Sequence, residues 1–349
     1  MRAKIGMVGV GATVGIAHNH AQGLIKDPRA DIAAVYDLDK ERAAAFAARY
    51  SPAARVCESP EELFSLVDAV DICTPNFTHA DYVVRTAQAH RGVFVEKPLA
   101  VNLEECRRAA EAVEKAGVFN MVGFVYRFAP HAAALRELIR TRFTKIYSIS
   151  GSYGARRLAD PTVPFEWRMD ATLSGGGALD DFGSHLLDLL FFSCGVKIKK
   201  AACLSTTSIP RRAPGPGGKE LVENDDSSAL TAVGERGELV SLLITRLGMD
   251  DIALRVSGDG GLVVLSYGDD FITYYPKETG GAYQGEPQRI ALPGIPHFQG
   301  WFDREMAAFV DGVLGKETEV CSVRDALAIQ QALDAAARSA REEKVCPAD

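Results

Sequence analysis

Two short stretches carry side chains whose types and spacing suit proton transfer. Glu96-Lys97-Pro98 directly follows the apolar run Gly92–Val95. A lysine at the carboxyl end of a strand, facing a nucleotide cleft, can hydrogen-bond a substrate hydroxyl. Partial desolvation and a nearby cation would lower its pKa toward working pH. The proline permits a cis peptide bond, which would aim the lysine into the cleft. The second stretch, Gly175–Asp188, reads GGGALDDFGSHLLD. If it is helical from Ala178, Asp181 and His185 stand at i and i+4 on one face, with Asp188 a turn further on. A carboxylate one turn before a histidine can orient the ring and raise its basicity, an arrangement suited to a general acid–base. Each stretch also has a plainer reading, as a solvent-facing lysine or as a capped histidine in an amphipathic helix. A metal site at His185 finds no further histidine at ligand spacing, so none is expected.

A third motif supplies context. Gly9-Val10-Gly11-Ala12-Thr13-Val14-Gly15 follows a short apolar run, Lys4–Val8. A dinucleotide fingerprint needs one glycine for a tight turn and a second so that backbone N–H groups can approach a pyrophosphate at a helix N-terminus. Gly9, Gly11, Thr13 and Val14 are the expected contacts, although the third glycine is displaced by one residue. Asp37 closes the second apolar run, 22 residues after Gly15. A carboxylate there accepts hydrogen bonds from ribose hydroxyls and repels a 2′-phosphate, which favours NAD over NADP. Cys73-Thr74-Pro75-Asn76, with His79 following, sits at another strand's carboxyl end, where a cofactor would lie.

The elements that would position these residues alternate. Strand-like runs at 32–36, 54–57, 69–73, 92–95 and 118–122 are separated by helical segments at 17–25, 40–50, 60 onward, 78–90 and 103–116. Ser59 caps the helix that Pro60 opens. The pattern predicts a doubly wound parallel sheet over residues 1–123. From 124 to 349 the grammar changes. Helices are expected at 130–140, 178–192, 298–314 and 323–341. Strands are expected at 145–153, 201–206, 228–233, 239–247, 252–256, 262–266 and 271–275, forming an open, mostly antiparallel sheet in an α+β domain. Residues 211–219, rich in proline and glycine, read as a surface loop.

Composition narrows the function classes. The chain has 349 residues, 47% hydrophobic and 24% charged, with a formal net charge of −7. That excludes intrinsic disorder as the main state and argues against a phosphate-backbone binder, so no nucleic-acid partner is expected. No apolar stretch is long enough to span a membrane. The 5–17 region could pass for a signal peptide, but its four glycines fit a strand running into a turn. Seven scattered cysteines form no C-x-x-C pair, as expected of a reducing cytoplasm, with small core thiols and one tail thiol.

Together these motifs resemble the Gfo/Idh/MocA oxidoreductases, the family of glucose–fructose oxidoreductase and inositol dehydrogenase. The matching residues are Gly9–Gly15, Asp37, Thr74-Pro75-Asn76 with His79, Glu96-Lys97-Pro98, Gly123 through Tyr126-Arg127-Phe128 to Pro130, Trp167-Arg168 and Gly175–Asp188. The resemblance implies NAD(P)-dependent oxidation of a secondary alcohol on a sugar, inositol or sugar acid, without metal. It implies Lys97, Asp181 and His185 as catalytic and substrate-binding residues. Glu96, Pro98, Asn76, Trp167 and Arg168 would lie near the cofactor, and Arg127 and Tyr153 in the substrate pocket. A homodimer or homotetramer through the C-terminal sheet would follow. The rival expectations are an NAD-dependent, glycosidase-like elimination enzyme, a non-catalytic NAD-binding sensor and, less favoured, a tetrapyrrole reductase.

Overall fold

Apolar runs bounded by glycine, proline and polar residues become strands, and the Ala-rich segments between them become helices. In the computed structural model, β1 (Ala3–Val8) is followed by α1 (Ile16–Lys26), β2 (Ala30–Tyr36), α2 (Lys40–Tyr50), β3 (Arg55–Val56), α3 (Pro60–Leu66) and β4 (Ala69–Ile72). Then come α4 (Asn76–Gln88), β5 (Gly92–Glu96), α5 (Leu103–Ala116) and β6 (Asn120–Gly123). The structure describes residues 2–11, 15–277, 286–292 and 298–349.

The first six strands form one sheet in the order β3-β2-β1-β4-β5-β6, every pair parallel. The order reverses at β1, and in such sheets ligands bind at that switch point, beyond the carboxyl ends of the strands. Helix starts follow the capping chemistry. The Asp39 carboxylate accepts from the amides of Glu41 and Arg42, Ser59 accepts from Glu62, and Asn102 accepts from Glu105. Each such cap is worth about 1 kcal/mol. A core of Ile5, Met7, Leu24, Phe94 and Met121 sits against one face of the sheet.

The chain continues through α6 (Pro130–Arg142), β7 (Ile146–Gly154), α7 (Ala171–Ser174), α8 (Ser184–Leu189), β8 (Ile198–Thr206), β9 (Ser227–Gly234) and β10 (Leu239–Thr245). After these come β11 (Asp251–Gly258), β12 (Gly261–Ser266), β13 (Phe271–Pro276) and β14 (Gln288–Ala291). It ends in α9 (Phe298–Val313), α10 (Val323–Glu342) and β15 (Cys346–Pro347). The second sheet runs β14-β13-β12-β11-β7-β10-β9-β8-β15, antiparallel throughout except for the pair β7–β10. Burial alternates along its strands, so Val240, Leu242 and Ile244 face the core while Leu239 and Leu243 are exposed.

Two compact units result. One holds residues 1–128 and 297–327, the other 129–296 and 328–349. The sequence-based boundary at 123 thus lies five residues before the break, and α9 belongs to the first unit. There Met306, Phe309 and Val310 complete its core, and Gly23 of α1 lets Met306 approach closely.

Three local expectations are corrected, and two short strands went unread. The single α-helix expected at 178–192 is a π-turn (Leu179–Gly183), then α8, then a second π-turn (Leu190–Cys194). The short strands β14 and β15 carry no alternation long enough to read. Residues 211–219 are not simply a surface loop: Arg212 is buried, and its guanidinium donates to the carbonyls of Leu158 and Asp160, both at 2.6 Å. The tail thiol, Cys346, is buried on β15; none of the seven cysteines forms a disulfide, and all are buried.

Candidate active site

In the first unit the glycine turn joins three strand ends. Gly9 has φ 82°, and a Cβ there would lie 2.6 Å from Thr74 Cγ2, a closeness only glycine tolerates. The Gly11 N–H donates to Asp37 Oδ2 at 2.8 Å, and the Asp39 N–H donates to Asp37 Oδ1 at 2.9 Å. Asp37 is thereby fixed across the turn. The Arg42 side chain passes so near Gly11 that a Cβ there would sit 2.5 Å from its Cδ. Gly15, the displaced third glycine, precedes α1 in the left-handed region at φ 71°. Thr13 and Val14 lie outside the described residues.

Lys97 follows the last residue of β5, and the Lys97–Pro98 peptide is cis. His79 is buried on α4 and braces this corner. Its Nδ1 lies 2.7 Å from the Pro98 carbonyl oxygen and its Nε2 lies 2.7 Å from that of Thr74. Burial pushes the ring's pKa down, against the pull of both carbonyls. Only one of them can accept a hydrogen bond from a neutral ring. The Thr78 hydroxyl donates to Thr74 Oγ1 at 2.7 Å, and Asn76 opens α4 beside it. Arg127 is buried in a short 3₁₀ turn, Val125–Phe128.

Behind Glu96 lies a buried charge network that sequence reasoning missed. His20, wholly buried on α1, places Nδ1 3.1 Å from both Asp71 oxygens and Nε2 3.2 Å from Glu96 Oε1. Burial alone would lower the ring's pKa, but Asp71 and Cys73 hold it well above the usual value. The Cys73 thiol lies 3.3 Å from Asp71 Oδ1, and burial pushes its pKa upward. A buried carboxylate from α9, Glu305, comes within 4.8 Å of both His20 and Glu96. Gly123 leaves room for Glu96, since a Cβ there would lie 2.5 Å from Glu96 Oε1. The available signal was Asp71 itself, an acid inside the buried strand Ala-Val-Asp-Ile.

In the second unit, Trp167 and Arg168 lie in a short 3₁₀ turn with the Arg168 guanidinium 4.4 Å from the Trp167 ring centroid. Burial lowers the Arg168 pKa, while Asp181 and Glu166 oppose that shift. Arg157 pairs through both terminal nitrogens with Glu166, and the charge of Asp181 acts on it too. Asp181 therefore sits in the field of two guanidinium groups. Along the helix, a π-turn rotates each residue less than an α-turn does. An i, i+4 pair then falls just short of a full turn instead of just past it, so Asp181 and His185 keep a common side. Tyr153 of β7 stacks on Phe182 at 4.5 Å, and its ring centre is 6.0 Å from that of His185. Asp188 is fully buried. The Asp180 carboxylate accepts from the Gly176 N–H at 2.6 Å, and burial raises its pKa to about 6.

The described residues thus gather Gly9, Gly11, Asp37, Thr74, Asn76, His79, Glu96, Lys97 and Pro98 at the carboxyl edge of the first sheet. They gather Tyr153, Trp167, Arg168, Asp181 and His185 in the second unit.

Residues 3–124 match the family model described as oxidoreductase family, NAD-binding Rossmann fold, and residues 132–264 match the GFO/IDH/MocA C-terminal domain. Glucose-6-phosphate 3-dehydrogenase of Bacillus subtilis is 30% identical over 191 residues, 54% of this chain and 53% of that protein. Levoglucosan dehydrogenase of Pseudarthrobacter phenanthrenivorans is 34% identical over 157 residues, 45% of this chain and 40% of that protein. The chain thus spans about half the length of these two curated relatives. Inositol 2-dehydrogenase of Rhizobium meliloti is 27% identical over 350 residues, covering 99% of this chain and 98% of that one. Among solved structures, an NAD-binding oxidoreductase from Klebsiella pneumoniae aligns over 100% of both chains with TM-score 0.90 and 25% identity. Levoglucosan dehydrogenase in complex with NADH and levoglucosan aligns over 100% of both with TM-score 0.89 and 23% identity, a likeness of fold.

Proposed function

Because the chain belongs to the GFO/IDH/MocA oxidoreductase family, with an NAD-binding Rossmann domain, we propose that it is an NAD-dependent dehydrogenase of a sugar, inositol or related polyol. The observation that carries this reading is Lys97. It stands at the carboxyl edge of a parallel sheet of order 3-2-1-4-5-6, with Glu96 held by His20 on one side and the Pro98 carbonyl facing His79 on the other.

The residues present fit a dinucleotide. Gly9 keeps side-chain bulk out of the turn, and the Asp37 carboxylate stands at the end of β2 to accept from ribose hydroxyls. Bound there, the nicotinamide supplies the hydride acceptor. Glu96, Pro98, Asn76 and His79 shape the wall beside it, and Trp167 and Arg168 serve its nicotinamide end.

Each residue then has a task. His185 takes the proton of the substrate's secondary hydroxyl, with Asp181 favouring the imidazolium that forms. Lys97 donates a hydrogen bond to the oxygen as negative charge develops there. The Tyr153–Phe182 stack offers an apolar face to the C–H side of a sugar ring, while Arg127 and Arg168 offer donors to its hydroxyls. A homodimer or homotetramer through the second sheet belongs to the same reading, since Tyr147, Leu239 and Leu243 leave apolar surface exposed on β7 and β10. So does a cytoplasmic location, which fits seven cysteines without a disulfide among them. No helix among the described residues is long and apolar enough to cross a membrane.

The test is a panel of inositols, aldoses, sugar acids and anhydrosugars with NAD and NADP in parallel, followed by NADH or NADPH absorbance. Turnover of one polyol class with NAD is the expected result. Tight NAD binding without turnover of any of them would overturn the dehydrogenase reading.

A further inference from the structure

Three consecutive residues, Asn224-Asp225-Asp226, lead into β9, and each side chain bonds a different segment. Asp225 closes the N-terminus of the helix that bears Asp181 and His185. Its Oδ1 accepts from the Gly177 N–H at 2.8 Å, its carbonyl from the Ala178 N–H at 2.9 Å, and its Oδ2 from the Leu179 N–H at 2.8 Å. One residue thus satisfies three successive amides of a helix start, which otherwise leaves four without partners. The Ser228 hydroxyl donates to Asp225 Oδ2 at 2.9 Å and fixes the carboxylate from behind. The approach is so close that a Cβ on Gly177 would overlap the Asp225 carbonyl. That gives the last glycine of the Gly175–Gly177 run its reason.

Asn224, buried, holds the preceding loop. Its amide donates to the Arg168 carbonyl at 2.8 Å, to Ser174 Oγ at 3.0 Å and to the Gly176 carbonyl at 3.3 Å. Asp226, fully buried, accepts from the Ile209 N–H and from Arg246 Nε, both at 2.8 Å. Arg246 returns to the same tripeptide, donating through Nη2 to Asn224 Oδ1 at 2.8 Å. The Trp167–Gly177 loop and the helix start at Gly177 therefore hang from one anchored tripeptide, at the mouth of a β-strand that cannot shift without its sheet. Lys219 pairs with Asp170 of the loop as well, but neither segment has much regular helix of its own. The loop's only α-helical piece, α7, is four residues long, and the helix opens in a π-turn.

We propose that Asn224-Asp225-Asp226 is a positioning clamp. It sets the Trp167-Arg168 turn and the Asp181/His185 helix in one fixed register, with Asp225 as its key residue. This rests on the dehydrogenase reading for what the positioned residues do, though not for the clamp itself. Asp225 touches no reacting atom; it acts through the backbone of residues 177–179.

The experiment uses the full chain with Asp225→Ala, Asp225→Asn and, as a control, Val263→Ala in the buried centre of β12. A small displacement of reacting groups can cost up to about 100-fold in turnover. Asp225→Ala is expected to lower kcat roughly 10- to 100-fold. The NAD Kd should stay within about twofold, because Asp225 bonds residues 177–179 while Asn224 holds the Arg168 carbonyl, and the pH profile of kcat should shift. Asp225→Asn keeps one acceptor oxygen and should recover part of the loss. Val263→Ala should lose thermal stability without losing kcat. A kcat for Asp225→Ala within twofold of wild type, or an equal kcat loss in Val263→Ala, overturns the clamp. If the wild type turns over no polyol, the dehydrogenase reading falls alone. Amide exchange then decides the clamp: faster exchange confined to 177–185 in Asp225→Ala supports it, and unchanged exchange there overturns it.

Discussion

Lys97 and His185 are held by opposite means. Lys97 stands one residue beyond a central strand, and the groups that fix its corner come from neighbouring strand ends and the helices that follow them: His79, Thr74, Glu96 and His20. His185 rides on a helix broken by two π-turns, whose start is capped by Asp225, 40 residues further along the chain from His185. The first arrangement rests on neighbouring strand ends and on the helices packed against them. The second depends on a remote loop meeting three amides. Parallel strands give rigid, repeatable places for chemistry, whereas a helix laid on an open sheet must be pinned from outside.

Lys97→Met removes the strand-end amine. If the strand-end lysine stabilises the developing alkoxide, kcat falls roughly 10²- to 10⁴-fold while NAD binding, read by calorimetry, is retained. Turnover within severalfold of wild type would remove Lys97 from the chemistry.

His20→Leu tests whether the buried network is what holds the lysine's strand. Removing the ring leaves Asp71 and Glu96 without their shared partner, and breaking such a buried pair costs about 3–5 kcal/mol in urea unfolding. The pH dependence has a definite sign. The folded-state pKa of His20 is raised, so its contribution is complete below the unfolded value of about 6.5. It is lost as pH rises through the folded value. Wild-type stability should fall along that range, and His20→Leu should lack that component. Equal slopes in the two proteins would refute the charged ring.

Asp37→Ser tests the ribose contact at the end of β2. A hydrogen bond to a charged group is worth about 1.5–3 kcal/mol, so the NAD KM should rise about 10- to 100-fold. NADP should gain, because the 2′-phosphate is no longer repelled and Arg42 already passes over Gly11. Unchanged NAD preference in the NADH and NADPH absorbance assay would take the ribose from Asp37.

The smallest effect belongs to the second unit. Asp180, with its pKa lifted to about 6, contributes stability that is present at low pH and lost as pH rises from about 4 to about 6. Asp180→Asn keeps an acceptor for the Gly176 N–H and should flatten the melting curve across that window. A gain of roughly 2–4 °C in Tm at neutral pH is expected. A slope unchanged from wild type would show that the carboxyl titrates normally.

Much of the first unit could be read in advance because its signals are local. The helices at 40–50 and 103–116 match their sequence-read bounds, since caps and periodicity act within a few residues. The glycine turn, Asp37 and Glu96-Lys97-Pro98 were legible for the same reason: each is defined by its place at a strand end. His20 was not, because its partners lie 51 and 76 residues away and nothing in a lone histidine announces them.

In the second unit, period-2 alternation gave the strands, but no local pattern distinguishes a π-turn from an α-turn within an apolar, Gly-containing run. Nor does Asn-Asp-Asp before a strand declare what it will cap. Propensity, capping and burial periodicity are short-range, so residue order alone set most strands and helices and the places of the chemistry-bearing motifs. Only the tertiary structure decided which buried charges pair, which loop closes the helix of Asp181 and His185, and that Arg212 and Cys346 lie inside. Those outcomes depend on contacts between segments far apart in the chain, and a buried polar group takes whichever distant partner the fold brings within hydrogen-bonding reach.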